Sequence, residues 1–218
     1  MNRPGPTNAE EARIAIGDAA IVGDLALPPE ASRVVLFAHG SGSSRHSARN
    51  RAVAAVLQRA GLGTLLIDLL TEAEERVDVV TREHRFDIPL LAERIVGASE
   101  WLRADERTKR LDIGGFGAST GGGAALLAAA DRPDLIVAVV SRGGRPDLAG
   151  AALARVQAPT LLIVGGQDHE VLELNRAALE QLRCEKRLHI VPGATHLFEE
   201  AGALEEVAAA AAEWFTAH

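Results

Sequence analysis

Tyrosine is absent from the sequence, and aromatic residues make up only 3% of its 218 positions. Proteins that hold single-stranded nucleic acid stack the bases on aromatic side chains, so this composition argues against that class. The net charge of −7 points the same way, because nucleic acids and anionic membranes attract basic surfaces. We therefore expect no nucleic-acid partner, no membrane partner and a core of aliphatic residues.

Cysteine is almost absent as well. Cys184 is the one cysteine, so no internal disulfide can form. No apolar run approaches the ~20 residues of a membrane-spanning helix, and residues 1–11 lack the apolar segment that a secretory signal requires. These absences favour a cytoplasmic protein.

Apolar residues make up 47% of the chain, which is enough for one globular core. We expect a flexible lead over residues 1–12 and a single domain over residues 13–218. Two alternating segments, at residues 13–17 and 20–27, predict an antiparallel hairpin. After them, continuous apolar runs alternate with helical stretches, which indicates a parallel sheet. The predicted fold is α/β, with a mostly parallel sheet of about eight strands, five or six helices on both faces and no large cap domain.

Two segments have no clear pattern. Residues 71–85 are charged and poorly periodic, which is typical of a surface loop or of a short cap over a site. Residues 142–150 follow a predicted strand and lie in a loop at the same edge of the sheet. We expect both segments to form walls of a pocket.

The chain is organised around residues 111–130, which predict a buried strand, a glycine-rich turn and an Ala/Leu helix. Gly117–Gly121 matches the pattern G-x-S-x-G. In that motif the serine lies on a strained turn that lifts its hydroxyl clear of the sheet. Ser119 is therefore a candidate nucleophile.

A serine nucleophile needs a base, and the base needs an orienting carboxylate. In an open α/β sheet such groups come from loops at the carboxyl ends of strands. Asp168 and His196 both follow predicted strands, and the order Ser, Asp, His is the one expected for hydrolases with this motif. Asp147 also follows a strand and is the main alternative for the acid.

The remaining histidines and the cysteine fit other roles better. His39 ends a strand that precedes the nucleophile, so it is better placed to support the loop that follows it. His169 points elsewhere if Asp168 faces the site, and His189 lies within a strand. Cys184 precedes the last strand and is expected to be an inert packing residue.

Acyl transfer also needs hydrogen-bond donors for the developing oxyanion. The backbone N–H of Thr120 lies at a helix N-terminus, where the helix dipole favours negative charge. The second donor should come from the loop after the first parallel strand. In this chain that loop is His39–Gly42, and we expect the N–H of Ser41 to serve, with Gly42 as the alternative and as a possible substrate contact.

Arg142 is a second possible substrate contact. Its guanidinium suits a substrate carboxylate or phosphate. The other interpretation of Arg142 and its neighbour Arg145 is a solvated loop charge, or a salt bridge to Asp147 or Glu170.

Four short stretches together resemble the signature regions of the α/β-hydrolase superfamily: His39–Gly42, Gly117–Gly121, Gly166–Asp168 and Gly193–His196. The compact length is similar to the dienelactone hydrolase family in particular. Authentic dienelactone hydrolases use a cysteine nucleophile, where this chain has Ser119. The serine-bearing relatives are described as esterases of short acyl esters. Similar chains also occur fused to, or encoded beside, phosphoribosyltransferases.

The resemblance implies hydrolysis of small-molecule carboxylic esters through an acyl-enzyme, with no metal and no organic cofactor. Lactones of the dienelactone type and thioesters are alternative substrates of the same site. A nucleotide-binding module is a distant alternative, because Gly115–Gly117 only partly matches G-x-G-x-x-G and Thr120 occupies the third glycine position. A non-catalytic interaction protein is another, and both a monomer and a homodimer stay open.

Overall fold

A computed structural model describes residues 8–218. Its strands are β1 (Glu10–Ile16), β2 (Ala19–Ala26), β3 (Arg33–Ala38), β4 (Gly63–Ile67), β5 (Asp112–Ala118), β6 (Ile136–Arg142), β7 (Thr160–Gly165) and β8 (Lys186–Val191). Its α-helices are α1 (Ala48–Arg59), α2 (Glu72–Thr81), α3 (Ile88–Ala104), α4 (Thr120–Asp131), α5 (His169–Gln181) and α6 (Ala203–Ala217). A kinked 3₁₀ segment covers Pro146–Arg155.

The eight strands form one sheet in the order β1-β2-β4-β3-β5-β6-β7-β8. The first two strands form the predicted antiparallel hairpin, and β2 also runs antiparallel to β4. All other neighbours are parallel. The predicted fold class is therefore confirmed. Parallel order brings the carboxyl ends of β3, β5, β6, β7 and β8 to one edge of the sheet, where the candidate residues lie.

Helices cover both faces of the sheet. Helices α1 and α6 pack together on one face of the sheet. On the opposite face, α4 packs between α3 and the 3₁₀ segment. Strand β5 serves both layers, because Phe116 packs on the α1/α6 side and Ile113 on the α3/α4 side. The core is aliphatic, as the composition predicts, apart from a few aromatic contacts such as that between Phe37 and Phe116, whose ring centroids lie 4.6 Å apart.

The structure differs from the prediction at two places in the first half of the chain. Strand β1 begins at Glu10, so residues 10–12 belong to the sheet and not to the predicted lead. Of the rest of that lead, residues 1–7 lie outside the described residues. Within residues 71–85 the structure has a ten-residue helix, α2, which the poor periodicity did not predict.

Helix α2 is stabilised by its first turn and not by an apolar face. Thr71 and Glu74 form a reciprocal capping box, with N–H···O distances of 2.7 and 3.2 Å. Glu74 also pairs with the buried Arg94 of α3 at 2.8 Å. Because capping and charge fix this helix, a search for apolar periodicity could not find it.

No helix within residues 8–218 combines the length and the apolar character that a membrane crossing needs.

Candidate active site

Ser119 lies between β5 and α4 in a strained conformation. Its φ is +50° and its ψ is −121°, a region that a non-glycine residue enters at a cost on the order of 1–3 kcal/mol. The Ser119 N–H donates to the carbonyl of Arg142 at 3.2 Å, and the Ser119 carbonyl accepts from the N–H groups of Gly122 and Arg145. The side chain makes no capping bond to α4, which leaves the hydroxyl available for chemistry.

The glycines around Ser119 permit backbones to approach one another closely. A Cβ atom added at Gly121 would lie 2.6 Å from the carbonyl oxygen of His39, and one at Gly117 would lie 2.5 Å from a backbone carbon of Gly122. Real Cβ atoms do not approach so closely. The glycines of the motif therefore allow the start of α4 to pack directly against β5 and against the end of β3.

Asp168 and His196 are brought together as expected. Asp168 Oδ2 accepts from His196 Nδ1 at 2.6 Å, a charge-assisted distance. Because the carboxylate can only accept, Nδ1 carries the proton and Nε2 is left as the basic nitrogen. The side chain of Asp168 is 14% exposed and that of His196 is 38% exposed, so the acid lies behind the base.

Backbone contacts hold the two loops that carry this pair. Gln167 N–H donates to the Ala194 carbonyl at 2.9 Å. A Cβ at Gly165 would lie 2.6 Å from the carbonyl oxygen of Thr195, so the end of β7 touches the loop after β8. The positions of Asp168 and His196 are thus set by main-chain packing.

The alternative residues are engaged elsewhere. Arg145 holds Asp147 through two hydrogen bonds of 2.9 and 2.8 Å, which occupies that carboxylate. His189 bonds to Glu206 on α6 at 2.7 Å. Cys184 is half-buried, with its sulfur 3.8 Å from the Thr160 hydroxyl.

Ser119 and His196 lie on either side of one dipeptide, Arg142–Gly143. Ser119 bonds to the carbonyl of Arg142, as described above. A Cβ at Gly143 would lie 3.2 Å from the carbonyl oxygen of His196 and 3.6 Å from its Cε1. Gly143 has a φ of +49°, which glycine adopts without strain. This glycine therefore lets the imidazole loop approach the serine turn.

The predicted oxyanion loop reaches the same place. A Cβ at Gly40 would lie only 3.8 Å from Ser119 Oγ. Neither the Ser41 N–H nor the Thr120 N–H has an acceptor within residues 8–218. Two free backbone donors therefore flank the serine, one on the loop after β3 and one at the first residue of α4.

A cleft beside these donors is closed by the α2 region. It is lined by residues of the oxyanion loop, by Thr120 and by Asp78 and Arg85. Arg85 Nε donates to the buried Asp78 carboxylate at 2.6 Å, and Arg85 Nη1 would lie 3.2 Å from a Cβ at Gly42. Of the two interpretations of residues 71–85, the structure supports the short cap. Asp78 and Arg85 were missed by sequence reasoning, because only folding brings them to the loop.

Arg142 fits neither a solvated charge nor a salt bridge. The residue is 7% exposed, and its Nε and Nη1 have no acceptor among the described residues. Burial, with a smaller effect of the nearby Arg49, lowers the pKa of Arg142 to about 10, so the guanidinium is still charged at neutral pH. The Arg142 guanidinium lies over the ring of Phe198, 5.9 Å from its centroid. The salt bridge to Asp147 belongs to Arg145 instead.

Between residues 8 and 218, no three His, Cys, Asp or Glu side chains come together in a way that could hold a metal ion.

Known proteins resemble this chain in sequence and in fold. The model of the dienelactone hydrolase family matches residues 25–217. The chain belongs to the dienelactone hydrolase family. A crystal structure of dienelactone hydrolase from Anabaena variabilis is similar, with 58% identity, a TM-score of 0.96, and coverage of 98% of this chain and 99% of the other. The family and the fold imply a hydrolase.

More distant structures share the fold alone. Est1E from Butyrivibrio proteoclasticus is 20% identical with a TM-score of 0.78, over 96% of this chain and 98% of that one.

Among curated proteins, two named putative phosphoribosyl transferase, from Mycobacterium tuberculosis, are 54% identical over 98% of this chain. The chain spans only about half of their length, 47%.

Proposed function

We propose that this chain is a serine hydrolase that cleaves small carboxylic esters through an acyl-enzyme. The observation that carries the proposal is the Asp168–His196 pair at 2.6 Å, placed across Gly143 from the strained Ser119. Family membership supports hydrolysis, and the site supports its mechanism.

Ser119 Oγ attacks the ester carbonyl carbon while His196 Nε2 takes the hydroxyl proton. The tetrahedral intermediate collapses, the bond to the alkoxy group breaks, and His196 returns the proton to the leaving alcohol. Water then attacks the acyl-enzyme with His196 again as the base, which releases the acid and restores Ser119. Asp168 stays ionised throughout and keeps the imidazole in the tautomer with the proton on Nδ1.

The oxyanion of each intermediate is placed between the free N–H groups of Ser41 and Thr120. Donors that are fixed before the reaction need no reorganisation when the charge develops. Each donor of this kind typically contributes about a hundredfold to a thousandfold in rate. Gly42 lies next to Ser41 and would contact the substrate through its backbone.

The proposal is tested with p-nitrophenyl acetate and butyrate and a fluorophosphonate probe. Wild-type protein should hydrolyse the esters and carry the probe on Ser119, and Ser119→Ala should do neither. Ser32→Ala is the matched control, since Ser32 is exposed just before β3, at the opposite edge of the sheet. Turnover that persists in Ser119→Ala would refute the assignment.

Lactones and thioesters are alternative substrates of the same site, because both pass through the same tetrahedral oxyanion. A panel of matched esters, lactones and thioesters, run beside Ser119→Ala, ranks them by kcat/KM. If no member is turned over and no probe binds, the distant alternatives return: a non-catalytic scaffold or a nucleotide-binding module. We place the protein in the cytoplasm, acting on a small molecule.

We further propose that Arg142 contacts an anionic group of the substrate. Nε and Nη1 of its guanidinium are buried and have no acceptor in the described residues, and a carboxylate or phosphate matches a guanidinium in shape and charge. Mono-p-nitrophenyl glutarate should exceed the neutral p-nitrophenyl valerate in kcat/KM. Arg142→Met should remove about 10- to 100-fold of the glutarate rate and spare the valerate rate. Equal losses for both esters would refute this contact.

A further inference from the structure

The imidazole of His39 is buried between the oxyanion loop and the end of β4. The residue is 8% exposed. Its Nδ1 lies 2.9 Å from the Gly40 carbonyl oxygen, and its Nε2 lies 3.1 Å from the backbone nitrogen of Leu69. Both ring nitrogens are therefore occupied by main-chain groups.

These two partners determine the tautomer. A backbone N–H can only donate, so Nε2 must be the unprotonated acceptor of the Leu69 bond. The proton of the neutral ring then lies on Nδ1, which donates to the Gly40 carbonyl. A second donor, the Ser43 N–H at 3.1 Å, holds the same carbonyl.

The direction of the Gly40 carbonyl decides the direction of the next N–H. In a planar trans peptide, the C=O of one residue and the N–H of the next point in opposite directions. The bonds that hold the Gly40 oxygen on the side of His39 therefore turn the Ser41 N–H to the opposite side. That N–H is one of the two proposed oxyanion donors.

The Gly40–Ser41 peptide needs such a constraint. Glycine has wide backbone freedom, and Gly40 packs so near the nucleophile that its absent Cβ would lie 3.8 Å from Ser119 Oγ. If the peptide flipped, a carbonyl oxygen would replace the N–H in the oxyanion site and would repel the developing charge.

We propose that His39 is a positioning residue that holds the Gly40–Ser41 peptide with its N–H directed at the substrate oxygen. His39 itself touches neither substrate nor reacting atoms. The inference rests on the proposed function of the same site, and it adds a requirement for the neutral tautomer with the proton on Nδ1.

The surroundings of the ring are compatible with a neutral imidazole. The charged side chains nearest to it or lining the hollows beside it are Asp68, Glu72, Glu75, Arg76, Asp78 and Arg85. Burial lowers the pKa of His39, and the hydrogen bond to the Gly40 carbonyl and the nearby Asp68 and Glu75 only partly oppose this effect. Asp68 is itself engaged by Arg45, which follows the oxyanion loop in the chain. A protonated ring would lose the acceptor for Leu69.

Three substitutions separate the two hydrogen bonds. His39→Asn keeps a donor near the Nδ1 position, His39→Gln places an amide oxygen near the Nε2 position, and His39→Leu keeps neither. We expect His39→Asn to retain kcat for p-nitrophenyl butyrate within a few fold. The other two should lose up to about a hundredfold in kcat, the lower end of the effect of one oxyanion donor, with KM nearly unchanged.

Affinity for a boronic acid inhibitor distinguishes a positioning role of His39 from a merely structural one. A merely structural role would not lower this affinity in the same order of variants as kcat. The inhibitor forms a tetrahedral adduct on Ser119 and places an oxygen in the oxyanion site, so its affinity should fall in parallel with kcat. Equal kcat in all three variants and the wild type would overturn the inference while leaving the proposed function intact. Wild-type protein that neither cleaves esters nor carries a fluorophosphonate on Ser119 would overturn both.

If the variants do not fold, nitrogen NMR of the wild type decides the question. We expect the His39 ring at pH 7.5 to be neutral with its proton on Nδ1. A proton on Nε2 would contradict the Leu69 bond and overturn the inference.

Discussion

Replacement of Gly121 by alanine tests whether close backbone packing builds the site. Gly121 is the second residue of α4, and helix propensity alone predicts that alanine there is stabilising by about 1 kcal/mol. The structure predicts the opposite. A Cβ at this position would lie 2.5 Å from the carbonyl oxygen of Ala38 and 2.6 Å from that of His39. Both are backbone atoms, which cannot rotate away.

Relief of this contact requires a displacement of roughly 0.9 Å, because ordinary van der Waals contact of a Cβ atom begins at 3.4 Å. Overpacking of this kind lowers the free energy of unfolding by about 1–3 kcal/mol. At the upper end of this range, a net loss of about 2 kcal/mol remains once the gain from helix propensity is subtracted. The displaced parts are the serine turn and the oxyanion loop. A misplacement approaching 1 Å lowers the rate about a hundredfold.

The assays are urea unfolding and kcat/KM for p-nitrophenyl butyrate. Gly115→Ala is the matched control, since Gly115 lies on the same strand–turn unit and the nearest atom to its added Cβ is 3.6 Å away. The control should keep wild-type activity. If Gly121→Ala were as active and as stable as the wild type, the packing argument would be wrong.

Three further predictions concern charged and titratable groups. Asp168→Asn should lower kcat by about 10⁴-fold, because the imidazole loses its tautomer control, whereas Asp147→Asn should stay within a few fold; similar losses in both would contradict the choice of acid. Arg142→Met should raise the free energy of unfolding by about 1 kcal/mol or more, because it removes a buried unpaired charge; a loss of stability in urea would show that a partner holds the guanidinium. At His39, the unfolded chain binds a proton that the folded chain disfavours, since burial lowers the pKa of His39 below its ordinary value of 6.5. This contribution to stability is therefore complete above pH 6.5 and falls as the pH drops, so the loss between pH 7 and pH 5 should be smaller in His39→Asn than in the wild type.

The sequence predicts the strands of the sheet and the edge of the sheet at which the candidate site lies. Buried strands, the hairpin and the turn around Ser119 have strong local patterns, and parallel order alone places Asp168 and His196 at the edge where Ser119 lies. The pairing of Asp168 with His196 is the one the sequence favours, although their catalytic roles stay a prediction.

Other features depend on contacts that no local pattern encodes. Helix α2 is held by the Thr71–Glu74 capping box and by pairing to Arg94, so its apolar periodicity is weak. The burial of Arg142 runs against the general rule that arginines are solvated or paired, and it becomes visible only in the folded chain. The sequence predicts that His39 supports the loop, but only the position of the Leu69 N–H indicates the tautomer of its ring.

The proposed function requires Ser119 to be the nucleophile of an ester hydrolase. The most direct measurement is peptide mapping by mass spectrometry after reaction with a fluorophosphonate, in the wild type and in Ser119→Ala. We expect one adduct, on Ser119, with loss of esterase activity in proportion to labelling and no adduct in the variant. An adduct on another residue, or labelling that survives Ser119→Ala unchanged, would contradict it.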